Sequence, residues 1–182
     1  DGMKHFFNKQ ANNFPTGFLP YLLKQCTEKK WPVTFKDNRT GRYRGAENNY
    51  EEGLRDYQCD AVDAVLGGEL KIGSSLIPWH RGIIKVSTGG GKTVILSRII
   101  QAFNLPTLYL VETKENLYQT QKFIQKWAGG KVGIIGDGIM DIQRVTVGSV
   151  RTLHSRKKSL KEYFKSIELL MVDEAHLVAD NQ

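Results

Sequence analysis

Short apolar runs alternate with amphipathic stretches along the chain after residue 50. The apolar, β-branched runs predict strands near residues 83, 108, 132, 145 and 169. The amphipathic stretches between them predict helices over residues 57–66, 92–103 and 115–127. Strands that alternate with helices are typical of a mostly parallel sheet covered on both faces. We therefore predict an α/β lobe over residues 51–182.

Residues 1–50 show a different pattern. The apolar positions predict a strand, a helix and a second strand over Met3–Phe7, Phe18–Lys30 and Trp31–Asp37. Residues 38–52 are polar and contain glycine, which is typical of a linker. These features predict a small α+β accessory lobe ahead of the α/β lobe. A further stretch, Gly67–Arg81, looks like an excursion before the strand near residue 83.

A glycine-rich turn follows the strand predicted near residue 83, with the sequence Ser87-Thr88-Gly89-Gly90-Gly91-Lys92-Thr93. Glycines take positive φ and can point successive backbone N–H groups at an anion, and the next helix aims its positive dipole end at the same point. Lys92 adds a cation for the β and γ phosphates, and the hydroxyl of Thr93 can ligate Mg²⁺. Val86 stands where the usual pattern has its first glycine. The turn predicts a nucleoside triphosphate site, and the alternative is a glycine-rich turn with an incidental Lys-Thr pair.

An acidic pair follows the strand predicted near residue 169. Asp173 is placed at the strand end to hold Mg²⁺ directly or through water. Glu174 can orient and polarise the attacking water. The alternative is that the pair caps a following helix. The two motifs together favour a site that hydrolyses ATP, with ATP and Mg²⁺ as cofactors.

Five segments resemble, in the family's order, motifs of the superfamily 2 helicases. They correspond to the Q motif, motif I, motif Ia, motif Ic and the Asp-Glu-Ala-His motif II, at Leu54–Gln58, Ser87–Thr93, Leu108–Leu117, Val145–Val150 and Asp173–His176. Motif Ia departs from the common pattern, because Glu112 stands where proline is frequent. The chain most resembles the phage UvsW-type branch-migration helicases and the XPB-like repair helicases. This resemblance implies a RecA-like P-loop lobe that uses ATP and Mg²⁺ and acts on single-stranded or branched DNA, with RNA not excluded.

The resemblance also implies roles for single residues. The residues that would bind the nucleotide are Tyr57, Gln58, Thr88, Gly89, Gly90, Gly91, Lys92 and Thr93. Among them, Gln58 would form a hydrogen bond with the adenine. Magnesium binding falls to Thr93 and Asp173, and catalysis to Lys92 and Glu174. The grip on the nucleic-acid backbone falls to Thr113, Lys114, Gly148 and Ser149, and coupling between the two sites to His176. The alternatives are structural. Gln58 would be an exposed helix residue, Thr113 a helix N-cap, Ser149 a turn residue, and His176 a capped or core histidine.

The chain carries a formal net charge of +7, and most of the excess precedes residue 51. Basic and aromatic residues of this part predict either a nucleic-acid surface or an ordinary solvated face: Lys29, Lys30, Trp31, Phe35, Lys36, Arg39, Arg42, Tyr43 and Arg44. Two cysteines give no disulfide framework and no metal-ligand spacing. Since no apolar run approaches the roughly twenty residues of a membrane span and no signal peptide is visible, we expect a soluble, intracellular protein, cytoplasmic in the host if phage-encoded.

Only six residues follow His176, and they contain no candidate for the later helicase motifs. We therefore expect a fragment of a larger helicase that lacks the second RecA-like lobe, and a very low rate of ATP hydrolysis by the fragment. The missing lobe would contribute an arginine to phosphoryl transfer. Two other functions stay open: a motor subunit of a restriction or repair complex that translocates duplex DNA without unwinding it, and a nucleic-acid-binding module that only holds nucleotide.

Overall fold

The computed structural model describes residues 10–36, 38, 53–72 and 75–175. These residues fall into two compact units. The first combines the described residues up to 38 with 67–82, and the second combines 53–66 with 83–175. The hairpin region thus groups with the N-terminal residues. The strand predicted over Met3–Phe7 and almost all of the predicted linker lie outside the described residues.

The first unit contains a helix and a β-hairpin: α1 (Leu19–Glu28), which follows a 3-10 turn (Thr16–Phe18), and strands β1 (Glu69–Ile72) and β2 (Ser75–Pro78). The two strands pair antiparallel, with Leu70 opposite Ile77. The predicted excursion is therefore a hairpin. The strand predicted over Trp31–Asp37 is wrong where the structure can be compared, because residues 31–36 pair with no strand and Trp31 and Val33 are exposed.

The second unit is built from five helices and five strands: α2 (Asp56–Leu66), α3 (Lys92–Phe103), β3 (Thr107–Val111), α4 (Lys114–Ala128), β4 (Val132–Gly136), β5 (Ile139–Asp141), β6 (Val145–Ser149), α5 (Val150–Ser155), α6 (Lys161–Ser166) and β7 (Leu169–Val172). The sheet order is β5-β4-β6-β3-β7. Strands β4, β6, β3 and β7 run parallel, and β5 pairs antiparallel with β4. The prediction of an α/β fold with a mostly parallel sheet is confirmed.

Local chemistry explains where the two long helices of this unit begin and end. The hydroxyl of Thr113 accepts a hydrogen bond from the backbone N–H of Asn116 at 3.2 Å and so caps α4. Helix α4 ends at Gly129, which has a φ of 75°. Helix α3 ends at Asn104, which takes the left-handed conformation that asparagine tolerates better than most residues. Both helices therefore begin and end close to the predicted positions.

The core lies on both faces of the parallel sheet. On one face, Tyr109 and Val147 pack with Ile95 and Ile99 of α3 in a cluster that also receives residues of α2 and α4. On the other face, Leu108 belongs to a smaller cluster covered by the segment from α5 to α6. Neighbouring strand residues thus point to opposite faces, as strand geometry requires. No helix among the described residues is long and apolar enough to cross a membrane.

The segment before the glycine turn differs from its prediction. Residues 82–86 form no strand in the structure, and β7 pairs only with β3 among the strands described. Ile83 is 94% exposed, whereas Ile84 and Val86 pack against the core cluster. The prediction of a buried strand here is wrong, because no described strand pairs with residues 82–86 and Ile83 faces solvent. Only the alternate side chains, Ile84 and Val86, reach the core.

Gly133 of β4 offers a test of the sheet packing. A Cβ built there would lie 2.2 Å from the carbonyl oxygen of Asp141, a backbone atom that cannot rotate away. We expect Gly133→Ala to lower the free energy of unfolding by about 1–3 kcal/mol, measured by urea denaturation. Gly82→Ala is the matched control, because nothing lies within 4 Å of a Cβ at that position. Equal stability of the two variants would contradict the described packing of β4 on β5.

Candidate nucleotide and nucleic-acid site

Two charged side chains that lie 82 residues apart in the sequence meet at the carboxyl edge of the sheet. Lys92 is the first residue of α3, and Glu174 follows β7. The ammonium group of Lys92 donates a hydrogen bond to Oε1 of Glu174. The two side chains are 35% and 37% exposed, so both can be reached from solvent. The structure thus brings together the glycine turn and the acidic pair.

The surroundings of Lys92 favour its charged form. The hydrogen bond to Glu174 raises the pKa of Lys92 most, and the charges of Glu174 and Asp173 raise it further, while burial opposes them. Lys92 therefore stays a cation at neutral pH. The ammonium group is paired with one carboxylate, that of Glu174, and a phosphate group could replace this carboxylate as its partner.

A side chain would clash with its surroundings at two positions of the glycine turn, Gly90 and Gly91. Gly89 and Gly91 both have a φ of 78°. A Cβ on Gly90 would lie 2.4 Å from Cγ1 of Val86, and one on Gly91 would lie 2.5 Å from Nε2 of Gln58. Val86, which departs from the usual P-loop pattern, therefore packs directly against the turn.

The beginning of α3 fits an anion. Its N-cap residue is Gly91, which has no side chain to satisfy the first N–H groups of the helix. One amide of the turn is used internally, since the N–H of Gly90 donates to the carbonyl oxygen of Ser87 at 3.0 Å. A glycine cradle, uncapped helix amides and the Lys92 ammonium together suit a triphosphate. Thr93 and Asp173 supply the hydroxyl and carboxylate oxygens that Mg²⁺ prefers.

The Q-motif residues contact the glycine turn from α2. The hydroxyl of Tyr57 and the amide of Gln58 both donate to the carbonyl oxygen of Gly90, at 2.9 and 3.2 Å. The amide oxygen of Gln58 accepts from the backbone N–H of Arg55 at 3.0 Å. Gln58 is only 6% exposed, so the alternative of an exposed helix residue is wrong. Its contact with adenine stays a prediction.

Asp173 is anchored to the neighbouring strand. Its backbone N–H donates to the carbonyl oxygen of Leu110 in β3 at 3.1 Å. Its carboxylate accepts from the backbone N–H of Glu174 at 3.0 Å. Glu174 has a φ of 47°, a left-handed conformation that is unfavourable for a residue with a long side chain. The fold thus holds the acidic pair in a defined and strained turn.

The residues predicted to grip nucleic acid share one edge of the sheet. Val111 of β3 lies opposite Ser149 of β6 in the parallel register, so the two strands end together. Thr113 and Lys114 follow the first strand, and Gly148 lies at the end of the second. The structure therefore brings these four predicted residues to the same side of the lobe.

Two of the four, Thr113 and Gly148, also have structural roles, and Ser149 occupies an N-cap position. Thr113 caps α4, as the alternative interpretation held. Gly148 is buried, and a Cβ there would lie 2.6 Å from Cδ1 of Leu153, so a larger residue would have to displace that side chain. Ser149 precedes α5 as its N-cap residue but makes no side-chain cap hydrogen bond. Their contacts with nucleic acid stay predictions. His176 lies outside the described residues.

Lys114 has a partner that the sequence analysis missed. Its ammonium group lies 2.7 Å from Oδ1 of Asp137, in the turn between β4 and β5, and the hydroxyl of Tyr118 donates to Oδ2 at 2.6 Å. The hydrogen bond from Lys114 is the main cause that lowers the pKa of Asp137, followed by that from Tyr118. The Gly136-Asp137-Gly138 sequence signals a turn, but only the sheet register shows that this turn faces α4.

Part of the predicted basic and aromatic surface lies in the first unit. The ammonium group of Lys29 sits 4.9 Å from the ring centroid of Trp31, and this ring is exposed. Lys30 and Lys36 are exposed as well. The other basic members of the surface lie outside the described residues: Arg39, Arg42 and Arg44. Binding of nucleic acid by this surface stays a prediction.

Comparison with known proteins gives concordant matches. The family described as type III restriction enzyme, res subunit, matches residues 51–182. The DNA 3'-5' translocase XPB2 of Sulfurisphaera tokodaii is 33% identical and aligns over 68% of this chain and 25% of its own length. The putative ATP-dependent helicase IRC3 of Saccharomyces cerevisiae is 37% identical and aligns over 68% of this chain and 19% of its own length. The chain thus spans a quarter or less of these relatives.

A solved structure shares the fold. The crystal structure of a hypothetical ATP-dependent RNA helicase from Sulfolobus tokodaii superposes with a TM-score of 0.53 over 87% of this chain and 42% of that one. The sequence identity is 17%, so this likeness concerns the fold alone. It is the likeness expected of a RecA-like helicase lobe.

The ion pair at Asp137 can be measured directly. Lys114 lowers the pKa of Asp137 below its ordinary value of 3.8. Asp137 is therefore ionised and paired at pH 3.8 and above, and the ion pair is lost only as the pH falls through the lowered pKa. We expect the ¹³C carboxyl shift of Asp137 to titrate below 3.8. In Lys114→Ala the midpoint should rise toward the ordinary value, and in Tyr118→Phe it should rise less. An unchanged midpoint in Lys114→Ala would show that the pair does not form in solution.

Proposed function

The chain belongs to the family described as type III restriction enzyme, res subunit, within helicase superfamily 2, and we propose that it carries the ATP-binding first motor lobe of a DNA helicase or translocase. The observation that supports this function best is the contact between Lys92 and Glu174. This contact supports the proposal because a lysine and a glutamate, residue types suited to bind and hydrolyse a triphosphate, meet at one edge of the sheet. A mostly parallel sheet with helices on both faces is the scaffold that such a lobe needs.

The proposed reaction assigns one role to each group. When bound, ATP would supply the phosphoanhydride bond that is hydrolysed, and Mg²⁺ would neutralise charge on the phosphate oxygens. Lys92 would leave Glu174 and pair with the β and γ phosphates, while Thr93 and Asp173 would hold the metal. Glu174, once released, would orient the attacking water and accept its proton. When Lys92 exchanges Glu174 for the phosphates of ATP, nucleotide binding would thus release Glu174 to act as the general base.

We propose that nucleic acid binds along the sheet edge that carries Thr113, Lys114, Gly148 and Ser149. Lys114 is the only cation of this set and is 62% exposed, so it would contribute the charge that a phosphodiester backbone attracts. Phosphate contacts of this kind carry little sequence information and position the strand. The relative named as a DNA 3'-5' translocase supports DNA as the polymer, in line with the resemblance to UvsW-type and XPB-like helicases. We propose that His176 couples this edge to the ATP site.

The family's own description favours a second candidate function. A type III restriction enzyme res subunit belongs to a restriction complex, so the same lobe could drive translocation along duplex DNA without unwinding. Both functions use the same ATP site and the same grip on the backbone. In either case we propose that a second RecA-like lobe completes the catalytic cleft and that the first unit adds a DNA-binding surface.

Opposite effects of two substitutions test the ATP site. Lys92→Ala should weaken Mg²⁺-dependent binding of a non-hydrolysable ATP analogue by at least about tenfold, because a charge-assisted contact to phosphate is lost. Glu174→Gln should bind the analogue at least as tightly as the wild type, because the carboxylate that occupies Lys92 is removed. Isothermal titration calorimetry measures both.

Lys122→Ala is the control for this comparison, since Lys122 is an exposed lysine on α4. It should bind the analogue like the wild type. Wild-type affinity in Lys92→Ala would discard the assigned ATP site.

Lys114 and Asp137 should affect nucleic-acid binding in opposite directions. Lys114→Ala should weaken binding of a short single-stranded DNA. The slope of log affinity against log salt should become shallower by the amount expected for the loss of about one phosphate contact. Asp137→Asn should strengthen binding, because Lys114 loses its carboxylate partner. Fluorescence anisotropy at several salt concentrations measures both, with Lys122→Ala as the control. The same slope in the wild type and Lys114→Ala would remove Lys114 from the proposed edge.

A further inference from the structure

Tyr109 lies in β3 beneath the candidate ATP site and has no assigned role in it. Its side chain is fully buried, with 0% exposure. Its hydroxyl has no hydrogen-bond partner at normal geometry among the residues that the structure describes. A buried hydroxyl without a partner is unfavourable, and phenylalanine would fill the same space without that cost. The hydroxyl therefore calls for a functional explanation.

The sheet register brings this hydroxyl toward Asp173. Tyr109 of β3 lies opposite Met171 of β7 in the parallel pairing. Since alternate strand residues share a face, Asp173 continues the face of Met171, on which Tyr109 also packs. The bond from the Asp173 N–H to the Leu110 carbonyl keeps the end of β7 against β3. The long phenol side chain thus points along the face that ends at the acidic pair.

The electrostatics agree with this placement. Burial raises the pKa of Tyr109 most, and the Asp173 carboxylate raises it further through its charge and as a hydrogen-bond acceptor, so the two groups lie close together. The hydroxyl can therefore act on Asp173 as a hydrogen-bond donor.

We infer that Tyr109 is a positioning residue for Asp173, its hydroxyl donating to the carboxylate when that carboxylate turns toward Mg²⁺. This inference rests on the proposed ATP site. Donors in the shell around a metal ligand fix the orientation of the ligand, and their removal typically weakens metal binding by about tenfold to a hundredfold.

The chain offers a matched control in Tyr163. Its hydroxyl is also buried without a partner at normal geometry among the described residues. Tyr163 packs against the smaller cluster with Leu108, on the opposite face of the sheet from Tyr109. Tyr163→Phe therefore removes a hydroxyl of the same kind away from the acidic pair.

The experiment compares Tyr109→Phe, Tyr163→Phe and the wild-type chain. Binding of a fluorescent, non-hydrolysable ATP analogue is measured as a function of Mg²⁺ concentration and also in EDTA. We expect Tyr109→Phe to need about tenfold to a hundredfold more Mg²⁺ for half-maximal binding, with unchanged binding in EDTA. Tyr163→Phe should match the wild type. Because both substitutions remove only an unpartnered hydroxyl, neither should lower the melting temperature.

Each other outcome overturns the inference. Tyr109→Phe with the wild-type Mg²⁺ dependence would remove Tyr109 from the metal site and leave the proposed function intact. An equal shift in both variants would show a general effect of core hydroxyls. If the wild type itself bound the analogue without regard to Mg²⁺, the proposed function and this inference would fall together.

Discussion

The ion pair between Lys92 and Glu174 is the contact on which the proposed chemistry depends. It exists because β7 pairs with β3 and because α3 begins where the glycine turn ends. Both side chains are about one third exposed, so solvent screens the pair and its stabilising effect is small. Because the ion pair is weak, replacing the Glu174 carboxylate by a phosphate as the partner of Lys92 would cost little free energy.

The same edge of the sheet would serve nucleic acid. Strands β3 and β6 end in register, with Val111 opposite Ser149, and Lys114 follows three residues after Val111. Strand β3 also pairs with β7, which leads to the acidic pair. Lys114 is held by Asp137 much as Lys92 is held by Glu174. In both cases a lysine forms an ion pair with an acidic side chain of the protein, and a phosphate could replace that side chain as its partner. Both proposed ligands would therefore bind by displacing an internal carboxylate.

Local patterns predicted the helices of the second unit well, and long-range contacts less well. Helices α3 and α4 follow from apolar spacing and from local signals such as Thr113 and Asn104. The run around Ile83 was predicted as a buried strand because apolar, β-branched residues favour one. Periodicity cannot show whether another strand lies beside a run, and here none of the described strands pairs with it. The contact between Asp137 and Lys114 was missed for a related reason, since only the fold brings the two residues together. The role that we infer for Tyr109 likewise depends on the pairing of β3 with β7.

A structure of the chain with Mg²⁺ and a non-hydrolysable ATP analogue tests the central claim most directly. The account predicts that the ammonium of Lys92 leaves Glu174 and contacts the β and γ phosphates, with the metal between Thr93 and Asp173. An analogue bound elsewhere, with the ion pair between Lys92 and Glu174 intact, would contradict it.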